Sequence, residues 1–181
     1  THPLAVAEIV ADLGLDADSV IAALLHDTIE DTNATHEEVA KQFGETVAAL
    51  VEGVTKLSRV QYTSKEEEQM ENLRKMFMAM AQDIRVILIK ICDRLHNMRT
   101  MEYQSPAKQR EKSLETMEIY APIAHRLGMQ KLKWELEDLS LRYLDPVGYK
   151  EIEDELAARS SAHEEFLAAV QQRITQRMWE E

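Results

Sequence analysis

Six residues of the stretch LLHDTIEDT hold four ionisable side chains, His26, Asp27, Glu30 and Asp31, with no Lys or Arg among them. They follow directly on an apolar run, VIAALL. On one continuous helix, turning about 100° per residue, the four would share an arc opposite Ile21, Ala22, Leu25, Thr28 and Ile29. Like charges three and four residues apart destabilise a helix by a few tenths of a kcal/mol per pair, and more where water is excluded. A divalent cation on that arc reverses the sign of the problem. Imidazole with carboxylate is a donor set suited to Mn, Fe or Zn, and the lack of thiolates argues against structural zinc. The plain alternative is an exposed acidic helix end carrying a passive histidine. Two ligands do not make a site, so the metal reading requires donors from elsewhere.

DRLHNMRT supplies a second cluster. Helical spacing puts Asp93, Asn97 and Thr100 on one face with Lys90, while Val86, Leu88, Ile89, Cys92 and Leu95 fall opposite. A carboxylate closing a run as apolar as VILIKIC is expensive to bury unless paired. Its partner is either a neighbouring guanidinium, Arg94 or Arg99, or a cation shared with HDTIED. His2, beside Pro3, is the third candidate donor. Lys90 and Arg94 are candidates for contacting an anionic substrate, and Lys56, Arg74 and Lys75 are weaker ones. The remaining histidines are set aside: His96 points away from the Asp93 face, His125 reads as packed in an apolar helix, and His36 and His163 lie in acidic surface segments.

These residues need a helical scaffold. Pro3 can open, and Gly14 close, a helix over PLAVAEIVADL. Asp18 or Ser19 can cap VIAALLHDTIED. Thr35 and Glu38 have capping-box spacing ahead of VAKQF, which Gly44 ends. ETVAALVEGVTKL is expected to be helical despite Gly53, then QYTSKEEE to form a polar junction, and EEQMENLRKMFMAMA to form a long helix. DIRVILIKICDRLHNMRT has strand-like residues, but its length without Gly or Pro and its polar spacing favour helix. Ser105-Pro106 starts a helix through SLETMEIY, KLKWELEDLSLRYL another, Asp145-Pro146 a further one, and the last runs from about Ser161. The expectation is an all-α bundle of about ten helices.

Composition sets the outer limits. The 181 residues suffice for one sizeable core, and 45% hydrophobic with 30% charged residues is a globular balance. The formal charge of −12 argues against nucleic acid as a partner, while leaving room for a small phosphorylated ligand held by a metal and a few local cations. No apolar run approaches the ~20 residues needed to cross a bilayer. The one cysteine, Cys92, reads as a buried small hydrophobe, which suits a reducing cytoplasm. Methionines at helical spacing read as core. The chain opens on Thr in mid-pattern and is read as a piece lacking its N-terminal part.

THPLAVA, LLHDTIEDT and DRLHNMRT together resemble the HD-type hydrolase domain of Rel/Spo enzymes, the bifunctional synthetases and hydrolases of (p)ppGpp. EGVTKL, ENLRKM, ETMEIYAPIAHRLG and KWELEDLSLRYL are similar to that family too, so the resemblance runs from Thr1 to about Tyr149. It implies an HD-domain helical bundle over residues 1–149, followed by a helical connector over 150–181 towards a synthetase domain that this sequence does not include. It also implies that His2, His26, Asp27 and Asp93 hold one metal ion, usually Mn²⁺. Glu30 and Asp31 would be the acid/base pair, and Asn97 and Thr100 would contact the substrate's sugar-phosphate. The helix and loop that precede the THP element in the family, and bring basic residues to the guanine end, are not in this sequence. The expected activity is metal-dependent removal of the 3′-pyrophosphate from ppGpp or pppGpp in the stringent response. The alternatives are an inactive helical regulatory module and an HD phosphohydrolase for another nucleotide.

Overall fold

A computed structural model describes residues 1–58, 74, 78 and 82–180, and every element among them is helical. In order they are α1 (His2–Asp12), α2 (Ala17–Leu25), α3 (Thr28–Asp31), α4 (His36–Phe43), α5 (Glu45–Ser58), α6 (Ile84–Arg99), a 3₁₀ turn (Met101–Tyr103), α7 (Pro106–Glu115), a π turn (Thr116–Tyr120), α8 (Ala121–Arg126), α9 (Gln130–Leu144) and α10 (Pro146–Glu180). The all-α expectation is met. Ten α-segments are reached among the described residues only by counting the single turn α3 and treating α7 and α8 separately. The expected junction over 61–68 and the helix over EEQMENLRKMFMAMA lie almost wholly outside the described residues.

The chain falls into two compact units, Thr1–Ser140 and Leu141–Glu181. In the first, α1 packs on α2 and α6, α5 packs on α2, α4 and α6, and α2 also meets α6. The core is aliphatic: Val6 and Val10 of α1, Ala22 and Ala23 of α2, Leu50 and Val51 of α5, and Ile87, Ile91 and Leu95 of α6 are all at most 1% exposed. Each such large side chain gains about 1.5–3 kcal/mol on leaving water. That burial fixes the rotation of α6 and so decides where its polar face points.

Local signals explain several boundaries. The Thr35–Glu38 capping box is formed in both directions, and Gly14 and Gly44 end their helices at φ +74° and +93°, where a Cβ would be strained. Gly53 serves packing: a Cβ there would lie 2.8 Å from Cγ2 of Val86, so α5 and α6 approach more closely than any other residue allows. Pro122 sits in a helical rod that does not break. A proline ring would clash with the carbonyl four residues back, and the wider π turn at Thr116–Tyr120, just ahead of α8, accommodates it.

Two expectations need correction. Asp16, not Asp18 or Ser19, caps α2, its Oδ1 accepting from the Ser19 amide at 3.1 Å. The same carboxylate takes Arg85 of α6 at 2.6 Å, an ion pair that favours this cap position. In the second unit a single helix, α10, runs from Pro146 to Glu180 with no new start near Ser161. Asp145 caps it by accepting from the Gly148 amide at 3.0 Å. Ser160-Ser161 lowers helix propensity only slightly, too little to stop a helix with neither Gly nor Pro beyond residue 148.

Gly53→Ala is expected to destabilise the protein. Overpacking against the stiff Val86 costs about 1–3 kcal/mol and outweighs the ~1 kcal/mol helix gain of Ala. A lower urea midpoint that recovers in Gly53→Ala/Val86→Ala would establish the clash. His36, at the start of α4, reaches Glu45 at 3.0 Å and Glu52 at 3.1 Å, both on α5. The hydrogen bond to Glu45 and the two negative charges raise its pKa. Its contribution is therefore full below the unfolded-state value near 6.5 and fades as pH rises through the raised folded value. The difference in Tm between the wild type and His36→Gln should be larger at pH 6 than at pH 9.

Candidate metal centre and the adjoining cationic pocket

HDTIED is not one helix. Helix α2 ends at Leu25, His26 and Asp27 form a turn, and α3 restarts at Thr28, with the Asp31 amide donating to the Asp27 carbonyl at 2.8 Å. The shared arc expected from continuous spacing therefore does not exist. The His26 ring turns inward, 1% exposed, and Asp27 is half-buried beside it, whereas Glu30 and Asp31 stay exposed on α3. The break separates two ligand-type side chains facing the core from two carboxylates at the rim.

The inward pair meets α1 and α6. His2 Nε2 lies 3.2 Å from Asp93 Oδ1 and 3.9 Å from Asp27 Oδ2, while His26 Nε2 lies 3.1 Å from Asp27 Oδ1 and 3.8 Å from Asp93 Oδ1. Donor atoms of His2, His26 and Asp93 fall within 4.8 Å of one another. His26 Nδ1 donates to the Ala23 carbonyl at 2.7 Å, which fixes the tautomer and leaves a lone pair on Nε2. That buried nitrogen has no hydrogen-bond partner. A buried acceptor facing two carboxylates is costly on its own, and a divalent cation is the partner that satisfies all of them. The donor set, two imidazoles with carboxylates, fits such an ion.

Asp93 is the deepest charge at this corner, only 5% exposed. Burial works to raise its carboxyl, but His2, Lys90 and His26 more than offset this and hold it well below the usual carboxylate range. Lys90 Nζ donates to its Oδ2 at 2.8 Å and Asn97 Nδ2 to its Oδ1 at 2.8 Å, both from the same face of α6. Neither expected arginine is the partner. Arg94 pairs with Glu115 at 2.9 Å and stacks 4.2 Å over the Tyr120 ring, and Arg99 grips Glu135 of α9 at 2.6 Å. Lys90 at i−3 and Asn97 at i+4 reach Asp93 along the helix, and the arginines leave that face. For His26, burial pulls the ring pKa down, yet Asp27, the Ala23 carbonyl and Asp93 raise it overall. Asp27 is lowered, chiefly by the His26 ring beside it. Cys92 is buried as expected, and burial pushes its thiol up to about 12.

Beyond Asp93 a pocket of about 300 Å³ opens, lined by Lys90, Arg94, Asn97 and Thr100 from the α6 end and by Lys108 and Lys112 of α7. All four substrate-contact candidates thus share one cavity. Thr100 is partly committed, its hydroxyl donating to the His96 carbonyl at 3.1 Å. Lys112 is drawn to Glu115 at 3.1 Å, and Lys108 has no ion pair among the described residues. Sequence reasoning missed these two lysines, although i and i+4 spacing in a helix opened by Pro106 marks them as neighbours. It also missed His96, which approaches His2, Nδ1 to Nδ1, at 2.7 Å. Burial, His2 and Arg99 together hold His96 below its ordinary pKa. His125 is not packed: it is exposed, with Gln130 at 3.3 Å. Of the weaker cationic candidates, Lys56 pairs with Glu52 at 2.8 Å.

Residues 1–130 match the HD domain family, and the chain belongs to that family. Among curated relatives, the bifunctional (p)ppGpp synthase/hydrolase SpoT of Escherichia coli K12 is 49% identical over 180 residues, 99% of this chain and 26% of the relative. A probable GTP pyrophosphokinase of Mycobacterium leprae is 53% identical over 174 residues, covering 96% and 22%. A probable guanosine-3′,5′-bis(diphosphate) 3′-pyrophosphohydrolase of Synechocystis is 48% identical over 180 residues, covering 99% and 24%. The chain thus spans about a quarter of the length of these relatives. A solved structure of a metazoan SpoT ortholog, described as hydrolysing ppGpp, aligns at TM-score 0.57 with 28% identity over 78% of each chain. The expected HD-type domain of the Rel/Spo kind is borne out. No helix among the described residues is long and apolar enough to cross a membrane.

A divalent ion binding here stabilises the folded state by about 2.7 kcal/mol at a hundred times its Kd. A divalent cation should therefore raise Tm by several degrees, and His26→Ala and Asp93→Ala should each abolish the shift. Protons compete for the imidazoles, so the apparent affinity should fall as pH drops towards 6.

Proposed function

We propose that this domain removes the 3′-diphosphate of guanosine 3′,5′-bis(diphosphate), ppGpp or pppGpp, giving GDP or GTP and pyrophosphate, with Mn²⁺ as its metal. The observation that carries this reading is that Asp93, on which His2 and His26 converge beside Asp27, also lines a cavity that holds Arg94, Lys108 and Lys112. Similarity to relatives named for (p)ppGpp hydrolysis supplies the nucleotide. In this reading residues 1–149 form the hydrolase domain and 150–181 a connector.

His2, His26, Asp27 and Asp93 hold the ion, which when bound acidifies a water and polarises a phosphoryl oxygen. The water oxygen bonds to the phosphorus next to the ribose, the bond from that phosphorus to O3′ breaks, and O3′ leaves with a proton. Glu30 and Asp31, exposed one turn beyond the ligands, take the proton of the water and return one to O3′. Asn97 bridges the two halves of the site, since it already donates to Asp93 and lines the pocket. Lys90 neutralises Asp93 from within and borders the same cavity. Arg94, Lys108 and Lys112 provide the positive field for the remaining phosphates, a local exception on an acidic chain.

Purified protein with Mn²⁺ should convert ppGpp to GDP and pyrophosphate, and Asp27→Ala should end it. Glu30→Gln and Asp31→Asn should lower kcat by roughly 10²–10⁴-fold without weakening Mn²⁺ binding. Lys108→Glu should instead raise KM, with kcat little changed. Metal-loaded protein that ignores ppGpp but cleaves dGTP or a cyclic dinucleotide would defeat the substrate assignment. Protein that binds Mn²⁺ and cleaves none of these would be a regulatory module.

A further inference from the structure

The His2–His96 contact has no part in the ligand set or the pocket, yet it is a direct nitrogen-to-nitrogen approach. Nδ1 of His2 lies 2.7 Å from Nδ1 of His96, with the rings 4.7 Å apart and steeply inclined at 61°. One of the two nitrogens must carry the hydrogen, and the geometry leaves either choice open. The other nitrogen of His2 decides which. Nε2 faces Asp93 Oδ1 at 3.2 Å. While the neutral ring carries its one hydrogen there, it donates to that carboxylate, and Nδ1 then accepts from His96. An imidazole that gives Nε2 to a cation has no hydrogen there, so its single N–H sits on Nδ1 and points at His96.

We propose that His96 is the positioning residue for His2, and that the pair exchanges donor and acceptor when the metal site fills. The hydrogen of His2 moves from Nε2 to Nδ1, and that of His96 from Nδ1 to Nε2, each by way of solvent, with no net gain or loss of protons. The 2.7 Å contact survives with its direction reversed. His96 is partly open to solvent, so its Nε2 can gain a hydrogen from water. A backbone carbonyl, the partner that His26 uses, only accepts, and it locks one tautomer. An imidazole partner is the device that keeps His2 bonded in both conditions. This holds the ring supplied by α1 in line with Asp93 whether or not an ion is present.

The proposal rests on the metal-site reading, and the test separates the two. Mn²⁺ affinity is measured by direct titration on the wild type, His96→Phe, His96→Asn and, as the control for the site itself, His26→Ala. His96→Phe keeps the ring shape but neither donates nor accepts, and it should bind roughly 10–100-fold more weakly, the usual loss when a ligand's outer partner is removed. His96→Asn, whose amide can present either its oxygen or its NH₂, should stay within a few-fold of wild type. Equal loss in both variants would make His96 merely structural, and no loss in His96→Phe would make the contact incidental; either result overturns the proposal. If His26→Ala also binds normally, the metal site itself is wrong. A readout that needs no variant is long-range ¹H–¹⁵N correlation of the imidazoles with diamagnetic Zn²⁺. His2 should carry its hydrogen on Nδ1 and His96 on Nε2 with the ion, and both should reverse without it. Unchanged tautomers on adding Zn²⁺ would sink the exchange.

Discussion

Everything around the site follows from burying one carboxylate. Asp93 lies on a helix whose opposite face is locked into the aliphatic core by Ile87, Ile91 and Leu95, so it cannot rotate out to water. An ionised carboxylate removed from solvent loses several kcal/mol of hydration, and the fold answers from every side. Lys90 and Asn97 come from the same helix, one turn before and one turn after. His2 arrives from α1 and His26 from the end of α2. Helix α6 thus sets the position, and the other two elements must come to it. The packing of α1 on both α2 and α6 is the means by which they do.

Much of this arrangement is legible in the residues, and what is not has identifiable reasons. Signals that act within one turn are plain in the sequence and hold in the structure: the Thr35–Glu38 box, the glycines at 14 and 44, and Pro106 and Pro146 as helix starts. The α6 segment was readable as helix because its polar residues keep a helical interval through a run that otherwise suits a strand. Misreadings arose where a tertiary contact overrides a local preference. Asp16 takes the cap from Asp18 because Arg85 comes to it from far along the chain. HDTIED has no Gly or Pro to mark a break, and the interruption at His26–Asp27 becomes visible only when His26 is seen bonded back to Ala23 and turned inward.

The same distinction applies to the candidate site. His26 and Asp27, adjacent in sequence, offer only a candidate ligand pair, and the structure brings His2 and Asp93 from far along the chain to meet them. The role of a cation is harder to read, because a guanidinium's partner depends on what packs beside it. Arg94 looks as available as Lys90 along the chain, yet Glu115 and the face of Tyr120 hold it. Tyr120 ends the π turn that makes room for Pro122, so a backbone adjustment in one rod helps shape the cationic wall of the cavity. His96 escaped notice because its partner is the second residue of the sequence, a pairing that no helical interval reveals.

On the proposed function, the gathering of Lys90, Arg94, Lys108 and Lys112 at one hollow of a chain of net charge −12 governs how a polyanion finds its way in. Most of the exterior turns such a molecule aside, while the lysines of α7 draw it over the last Debye length, about 8 Å at physiological ionic strength. Added salt weakens the general repulsion together with the local pull, so capture depends on the balance of two opposed trends. Approach by one route also orients the traveller, since its most heavily charged end is drawn in first.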